Sequence, residues 1–271
     1  MTRASGMLGA VDAVDSELSV TREDGAATLW LNRPAKRNAI THEMWRRIGD
    51  LCHELAADDA VRLLVLRGVG DHFCAGADIG GLAEMPLRDY QANNRYADDA
   101  LATFPKPTVA FITGSCVGGG VELAASCDLR IAAAGSVFGI TPARLGILYP
   151  TDALTRVTRL IGPSATKHLL FTGEIVDAER ALRIGLVDEL LPSVTDAEAR
   201  LGELVGTLLE RSLLTQMGSK AMIEEIAATG DVPAEVDDHW FSVLEGSSDP
   251  AEGIAAFGER RPPRFTWTPG A

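Results

Sequence analysis

Short apolar strands alternate with helices through the first half of this chain, and that alternation narrows the fold more than any other feature. Residues 62–67 (RLLVLR), 108–113 (TVAFIT) and 128–132 (DLRIA) read as strands. Ahead of them, THEMWRRIGDLCHELAADD reads as a helix, with Thr41 as cap and Met44, Ile48, Leu51, Cys52 and Leu55 at i, i+4, i+7, i+8 and i+11. Residues 119–126 read as a second helix, and 17–22 and 26–32 flank Glu23, Asp24 and Gly25 as a hairpin. Strands joined through helices need crossover connections, so a sheet rich in parallel pairs is expected. From about residue 151 the pattern changes to helices, as in GPSATKHLLFTGE, DAERALRIGL, EARLGELVGTLLERS and AEVDDHWFSVLEGS. The expected class is α/β, with a helical tail too short for its own core that packs on the main body or on a neighbouring subunit.

At 271 residues and 46% hydrophobic, the chain can bury a full core. It shows no apolar run of about 18 residues and no secretory leader pattern, so a soluble cytoplasmic protein is expected. Cys52, Cys74, Cys116 and Cys127 lie far apart without a Cys-x-x-Cys pair, which points to free thiols and to no metal site. A net charge of −13 argues against partners such as nucleic acid or an anionic membrane. An anionic ligand would have to meet a local basic cluster. Arg33, Lys36 and Arg37 form one and Arg260, Arg261 and Arg264 another, each equally readable as a solvated face.

Two glycine-rich loops follow strands. In GSCVGGGVELAASCD, Gly118, Gly119 and Gly120 stand directly before a helix. A helix start leaves backbone N–H groups unpaired at the positive end of the peptide dipoles. The loop HFCAGADIGGL repeats the design, with Ala75, Gly76 and Ala77 before Asp78. If the preceding strands are neighbours, two N–H donors converge on one oxygen. A thioester carbonyl becoming an enolate needs such a pair, and losing one donor typically costs roughly 3 kcal/mol of transition-state stabilisation. Glu122, one helical turn on, would carry protons or anchor water at the same carbon. Each loop taken singly reads as readily as a tight turn, with Glu122 complementing the helix dipole.

Other motifs fail on their context. Gly68-Val-Gly70 lacks the third small residue and the helix of a dinucleotide site, so NAD is not expected. No Gly-x-Ser-x-Gly elbow is present, and His72 and Cys74, two residues apart in a loop, make a poor nucleophile pair.

The segments LNRPAKRNAI, HFCAGADI, VGGGVELAASCDLRIA, FGITPARLGI and FTGEIVDAERALRIGLVDE, in this order, closely resemble the crotonase (enoyl-CoA hydratase/isomerase) superfamily from about residue 17 to 265. The resemblance implies a spiral of ββα units over 17–200, preceded by an N-terminal extension over 1–16. It further implies a helical C-terminal trimerisation region over 201–271, and homotrimers that often pair into hexamers. The implied ligand is an acyl-CoA thioester, with coenzyme A arriving as part of the substrate and no permanently bound cofactor. By position, the oxyanion hole falls on the N–H groups of Ala77 and Gly119. The coenzyme A moiety would run along Lys36 and Arg37 and near the main chain of Ala75, Asp78 and Ile79, with Arg260 reaching a phosphate, across a subunit boundary if need be.

The pattern also departs from the family. Hydratases of the superfamily carry a second glutamate directly after the proline of the FGITPARLGI-like segment, and here that residue is Ala143. The stretch Thr141-Pro142-x-x-Leu145-Gly146-x-x-Tyr149 is similar instead to the methylmalonyl-CoA decarboxylase branch, in which a tyrosine faces the acyl group. The expected activity is therefore 2-enoyl-CoA hydration or isomerisation, with a decarboxylase-like lyase or a non-catalytic acyl-CoA binding protein as alternatives. Glu122 and Tyr149 are expected to line the acyl pocket. Asp152 is expected to cap the helix containing Leu154 and Val157 rather than to act on substrate.

Overall fold

The computed structural model describes residues 17–82 and 86–270, so the extension expected over 1–16 lies outside the described residues. The chain opens with β1 (Leu18–Glu23) and β2 (Ala26–Leu31), an antiparallel hairpin turning at Asp24 and Gly25. Then come α1 (His42–Ala56), β3 (Leu63–Gly68), the one-turn α2 (Ile79–Leu82) and α3 (Leu87–Ala102). Next are β4 (Thr108–Ile112), β5 (Ser115–Val117), α4 (Gly119–Ser126), β6 (Leu129–Ala133), β7 (Val137–Gly139) and α5 (Thr151–Thr172). The chain closes with β8 (Ile175–Asp177), α6 (Ala178–Arg183), β9 (Glu189–Leu191), α7 (Val194–Glu210), α8 (Leu213–Thr229), α9 (Ala234–Glu245) and α10 (Asp249–Glu259).

Two sheets result. One has the order β1-β2-β3-β4-β6-β9 and is parallel from β2 onward; the other has the order β5-β7-β8. Successive passes of the chain feed both, since β4 leads into β5 and β6 into β7. Single bridges continue the second sheet backward, Cys74 pairing with Cys116 and Ile40 with Ala77. Each pass thus lays one strand in the first sheet and one short segment in the second, which is the spiral of ββα units expected.

Side-chain alternation along the strands separates two cores. Leu64, Leu66, Ala110, Ile112 and Ala132 join the main cluster with α1, α3 and α4, whereas Leu63, Val65, Val109, Phe111, Ile131 and Ala133 face α7 through Ala197 and Leu201. The boundary expected after residue 200 falls inside α7. The stretch expected to be helical also contains β8 and β9, three residues each. They are strands because β7 and β6 offer them an open edge, not because of any pattern of their own.

Asp152 is not the helix cap expected. Pro150 occupies that position, Thr151 is the first helical residue, and Asp152 sits in the first turn of α5 paired with Arg95 of α3. An aspartate there faces the positive end of the helix and gains a guanidinium partner besides.

Candidate active site

Sheet register brings the two glycine loops together. Cys74 and Cys116 pair in parallel, and Ala77 and Gly119 each lie three residues beyond that bridge, so they arrive at the same level on adjacent segments. The bridge with Ile40 uses the carbonyl of Gly76 and the N–H of Asp78, both at 2.8 Å. The Ala77 N–H therefore points away from Ile40. The Gly119 N–H, at the first position of α4, has no intrahelical acceptor. A Cβ placed on Gly119 would lie 3.5 Å from the Ala77 nitrogen. Covalent geometry then limits the separation of the two nitrogens to about 6 Å. Two donors each about 3 Å from one oxygen span no more than that. Both turns depend on glycine, since Gly76 has φ 104° and Gly118 has φ 53°, where a side chain would be strained.

Trp45 of α1 walls the same spot. Its fully buried ring would stand 2.8 Å from a Cβ on Gly119, and its Nε1 donates to the Tyr90 hydroxyl at 3.2 Å. Glu122 is buried at 4% exposure, and its Oε2 accepts from Nδ2 of Asn94 on α3 at 3.2 Å. Burial raises its pKa from 4.5 to about 7, with the Asn94 hydrogen bond pulling the other way. A carboxyl group tuned to that range both accepts and returns a proton at neutral pH. Tyr149 is buried, donates its hydroxyl to the Gly118 carbonyl at 3.1 Å, and is held neutral by burial and then by the Glu122 charge. It braces the turn that presents Gly119. Ala143 is exposed, in the short 3-10 turn Pro142–Arg144.

Most residues expected to hold the coenzyme gather on one flank. Lys36 closes the 3-10 turn Pro34–Lys36, and Arg37 follows with φ 50°; both are exposed. The Arg37 carbonyl takes the Ala75 N–H at 2.9 Å, tying that loop to the Ala-Gly-Ala turn. The Asp78 carboxylate accepts from Arg33 at 2.9 Å, which holds it below the usual carboxylate range, and Arg33 also meets Glu17 at 2.8 Å. Arg33 is thus committed within the fold. Ile79 is exposed beside Asp78. Arg260 stands elsewhere, at the C-cap of α10, and makes no ion pair among the described residues. Its neighbour Arg261 is neutralised by Glu252 at 2.6 Å.

Sequence reasoning missed α3 altogether, and with it Tyr90, Asn94 and Asp98. Tyr90, Asn94, Ala97, Asp98 and Leu101 follow the same i, i+4, i+7, i+8, i+11 pattern as α1 and are all buried. Asn and Asp at two of those positions spoil an apolar count, yet a carboxylate on a helix's core face was itself the available signal.

A family model described as enoyl-CoA hydratase/isomerase matches residues 21–268. The chain is 34% identical to a crotonyl-CoA hydratase of Syntrophomonas wolfei, covering 90% of this chain and 95% of that protein. It is 32% identical to a 2,3-dehydroadipyl-CoA hydratase of Escherichia coli, covering 92% and 98%. A crystal structure of an enoyl-CoA hydratase/carnithine racemase from Magnetospirillum magneticum superposes with a TM-score of 0.88 at 31% identity, covering 93% and 96%.

Proposed function

The chain belongs to the enoyl-CoA hydratase/isomerase family, and on that premise we propose that it adds water to a 2-enoyl-CoA thioester through an enolate held by the N–H groups of Ala77 and Gly119. The observation that carries this reading is the meeting of those two segments beside a buried Glu122. Glu122, ionised, takes a proton from water as the oxygen attacks the β carbon, and negative charge moves through the double bond onto the thioester oxygen. The two amides stabilise it there. Glu122 then returns the proton to the α carbon. One carboxyl group suffices for both transfers because its pKa lies near neutrality.

In this reading Lys36 and Arg37 meet the coenzyme phosphates, and the main chain around Ala75, Asp78 and Ile79 lies along the coenzyme. Arg260 contributes from a neighbouring subunit of a homotrimer or hexamer. Phe241, Ile254 and Phe257, exposed on α9 and α10 of the single chain, support such an assembly. Coenzyme A enters only as part of the substrate. The four cysteines are free, which supports a reducing, cytoplasmic setting, and among the described residues no helix is long and apolar enough to cross a membrane.

A decarboxylase-like reaction is the second reading, favoured by Ala143 in place of a second glutamate and by a buried Tyr149 near Glu122. Purified protein assayed on crotonyl-CoA and on methylmalonyl-CoA separates the two. Hydration of crotonyl-CoA that disappears in Glu122→Gln is expected. Release of CO2 from methylmalonyl-CoA without crotonyl-CoA hydration would overturn the proposal.

A further inference from the structure

Asp98 has no role in the chemistry described so far, and its surroundings ask for one. It is fully buried on α3, one turn beyond Asn94, whose amide holds Glu122. Residues four apart share a helix face, so Asp98 presents toward the same side of α4. Among the described residues neither of its carboxylate oxygens meets a donor, and the Asn94 carbonyl oxygen is likewise unpartnered. An ionised carboxylate without donors at zero exposure is untenable, so Asp98 carries a proton. That proton needs an acceptor in turn.

The charged and titratable groups around Asp98 are Glu122 from α4, Arg156 and Asp152 from α5, Tyr149 from the segment before α5, and Asp99 on its own helix. Nη2 of Arg156 is engaged by Asp99 while its Nη1 has no partner among the described residues and makes no bond to Asp98, and Asp152 pairs with Arg95. Tyr149 donates to Gly118. Of the acceptors on that side, the Asn94 amide oxygen, the Tyr149 hydroxyl and Glu122, only the Glu122 carboxylate is charged, and a hydrogen bond to a charged acceptor is the stronger one.

We propose that Asp98 positions Glu122: the two carboxyl groups hold one proton between them, Asp98 as donor and the Glu122 carboxylate as acceptor. The pair then carries a single negative charge, lodged on the oxygen atoms that face the substrate. Asp98 acts through Glu122 and touches no substrate itself. It gives the site a second carboxyl group by a route other than position 143. The inference rests on the hydratase reading, but its test does not.

The experiment is a pH-difference infrared titration of the full-length wild-type protein, Asp98→Asn, Asp98→Leu and Glu122→Gln, paired with pH profiles of kcat/KM. The wild type is expected to keep one protonated carboxyl band at about pH 8.5, where exposed carboxyl groups and Glu122 are both ionised, and Asp98→Asn to remove that band while Glu122→Gln keeps it. Asp98→Leu withdraws a hydrogen bond from a charged acceptor, so the acid limb of kcat/KM moves about one to two pH units alkaline. Asp98→Asn, whose amide still donates, restores it. A packing role alone would lower stability in Asp98→Leu without moving that limb. Absence of the band from the wild type, its survival in Asp98→Asn, or an unmoved limb in a folded Asp98→Leu overturns the proposal. The band needs no turnover, so it decides the pairing even if Asp98→Leu fails to fold or crotonyl-CoA proves not to be a substrate.

Discussion

Gly119→Ala tests the oxyanion site most directly, because one added carbon acts on stability and on catalysis by separable amounts. The new Cβ would lie 2.8 Å from Cζ2 of Trp45 and 3.3 Å from Cη2. The nearer contact is short of the carbon–carbon optimum by roughly 0.7–1.2 Å. Trp45 is fully buried and tied to Tyr90 at 3.2 Å, so the main chain at 118–119 yields instead. Overpacking of this kind costs about 1–3 kcal/mol. Each kcal/mol lowers Tm by at most about 2–4 °C for a chain of this size. The same shift draws the Gly119 N–H off the point it shares with the Ala77 N–H, and losing one such donor lowers kcat by about 10²–10³. Steady-state hydration of crotonyl-CoA well below both melting transitions isolates the catalytic part. Gly206→Ala is the control, since that glycine lies on an exposed turn of α7 with nothing within 4 Å of the new carbon. It gains about 0.5–1 kcal/mol of stability with kcat unchanged. If Gly119→Ala loses the expected stability but keeps kcat within about tenfold of wild type, the Gly119 amide is not a donor to the developing charge.

The other perturbations follow the same logic. Glu122 has a folded pKa raised from 4.5 to about 7, so its favourable contribution is complete below 4.5 and is lost as pH rises through about 7. Above that, burial of the ionised form costs on the order of 3 kcal/mol, so Glu122→Gln gains stability over wild type between pH 5 and pH 8 in denaturant melts. A pH-independent difference would place the Glu122 pKa near that of an exposed carboxyl group. Tyr149→Phe removes one of several donors to the Gly118 carbonyl, and the expected loss is about 1 kcal/mol of stability with less than tenfold in hydration. A hundredfold loss would instead put the phenol on the substrate. Lys36→Glu and Arg37→Glu are expected to raise KM for acyl-CoA about 2- to 10-fold at unchanged kcat, an effect that shrinks with added salt. Equal KM values at low salt would remove both residues from the coenzyme site.

The helix α4 was legible from Gly119 to Ser126, because glycines followed by Val121, Leu123, Ala124 and Ala125, with Glu122 in the first turn, fit a helix start. The convergence of Ala77 with Gly119 followed from two like loops after neighbouring strands, and the parallel register of Cys74 with Cys116 is what makes it geometric. The second sheet was not legible. Its strands are three residues long, too short for any period, and exist because each pass of the spiral sets a backbone edge beside the last. Nor was α3, whose core face carries Asn94 and Asp98 where an amphipathic helix would carry leucines.

That polar face bears on why the site is built as it is. Apolar side chains at Asn94, Asp98 and Glu122 would fill the same space without desolvating two carboxyl groups, and buried ionic clusters replaced in that way are commonly neutral or more stable by about 1–4 kcal/mol. Packing therefore gives no reason to keep them. Chemistry does, because a carboxyl group poised near neutrality must be stripped of water, and stripping it demands neighbours that limit the penalty without quenching its basicity. A lysine or arginine in direct contact with Glu122 would drive its pKa far below 7 and leave a poor base. An amide donor stabilises the carboxylate more gently, which is what Asn94 supplies, and a protonated Asp98 one turn further along α3 would add a second neutral donor. Arg156 of α5 makes no bond to Glu122 and is hydrogen-bonded through Nη2 to Asp99. The buried carboxyl and amide groups between α3 and α4 are thus what the proposed acid–base role accounts for and packing does not.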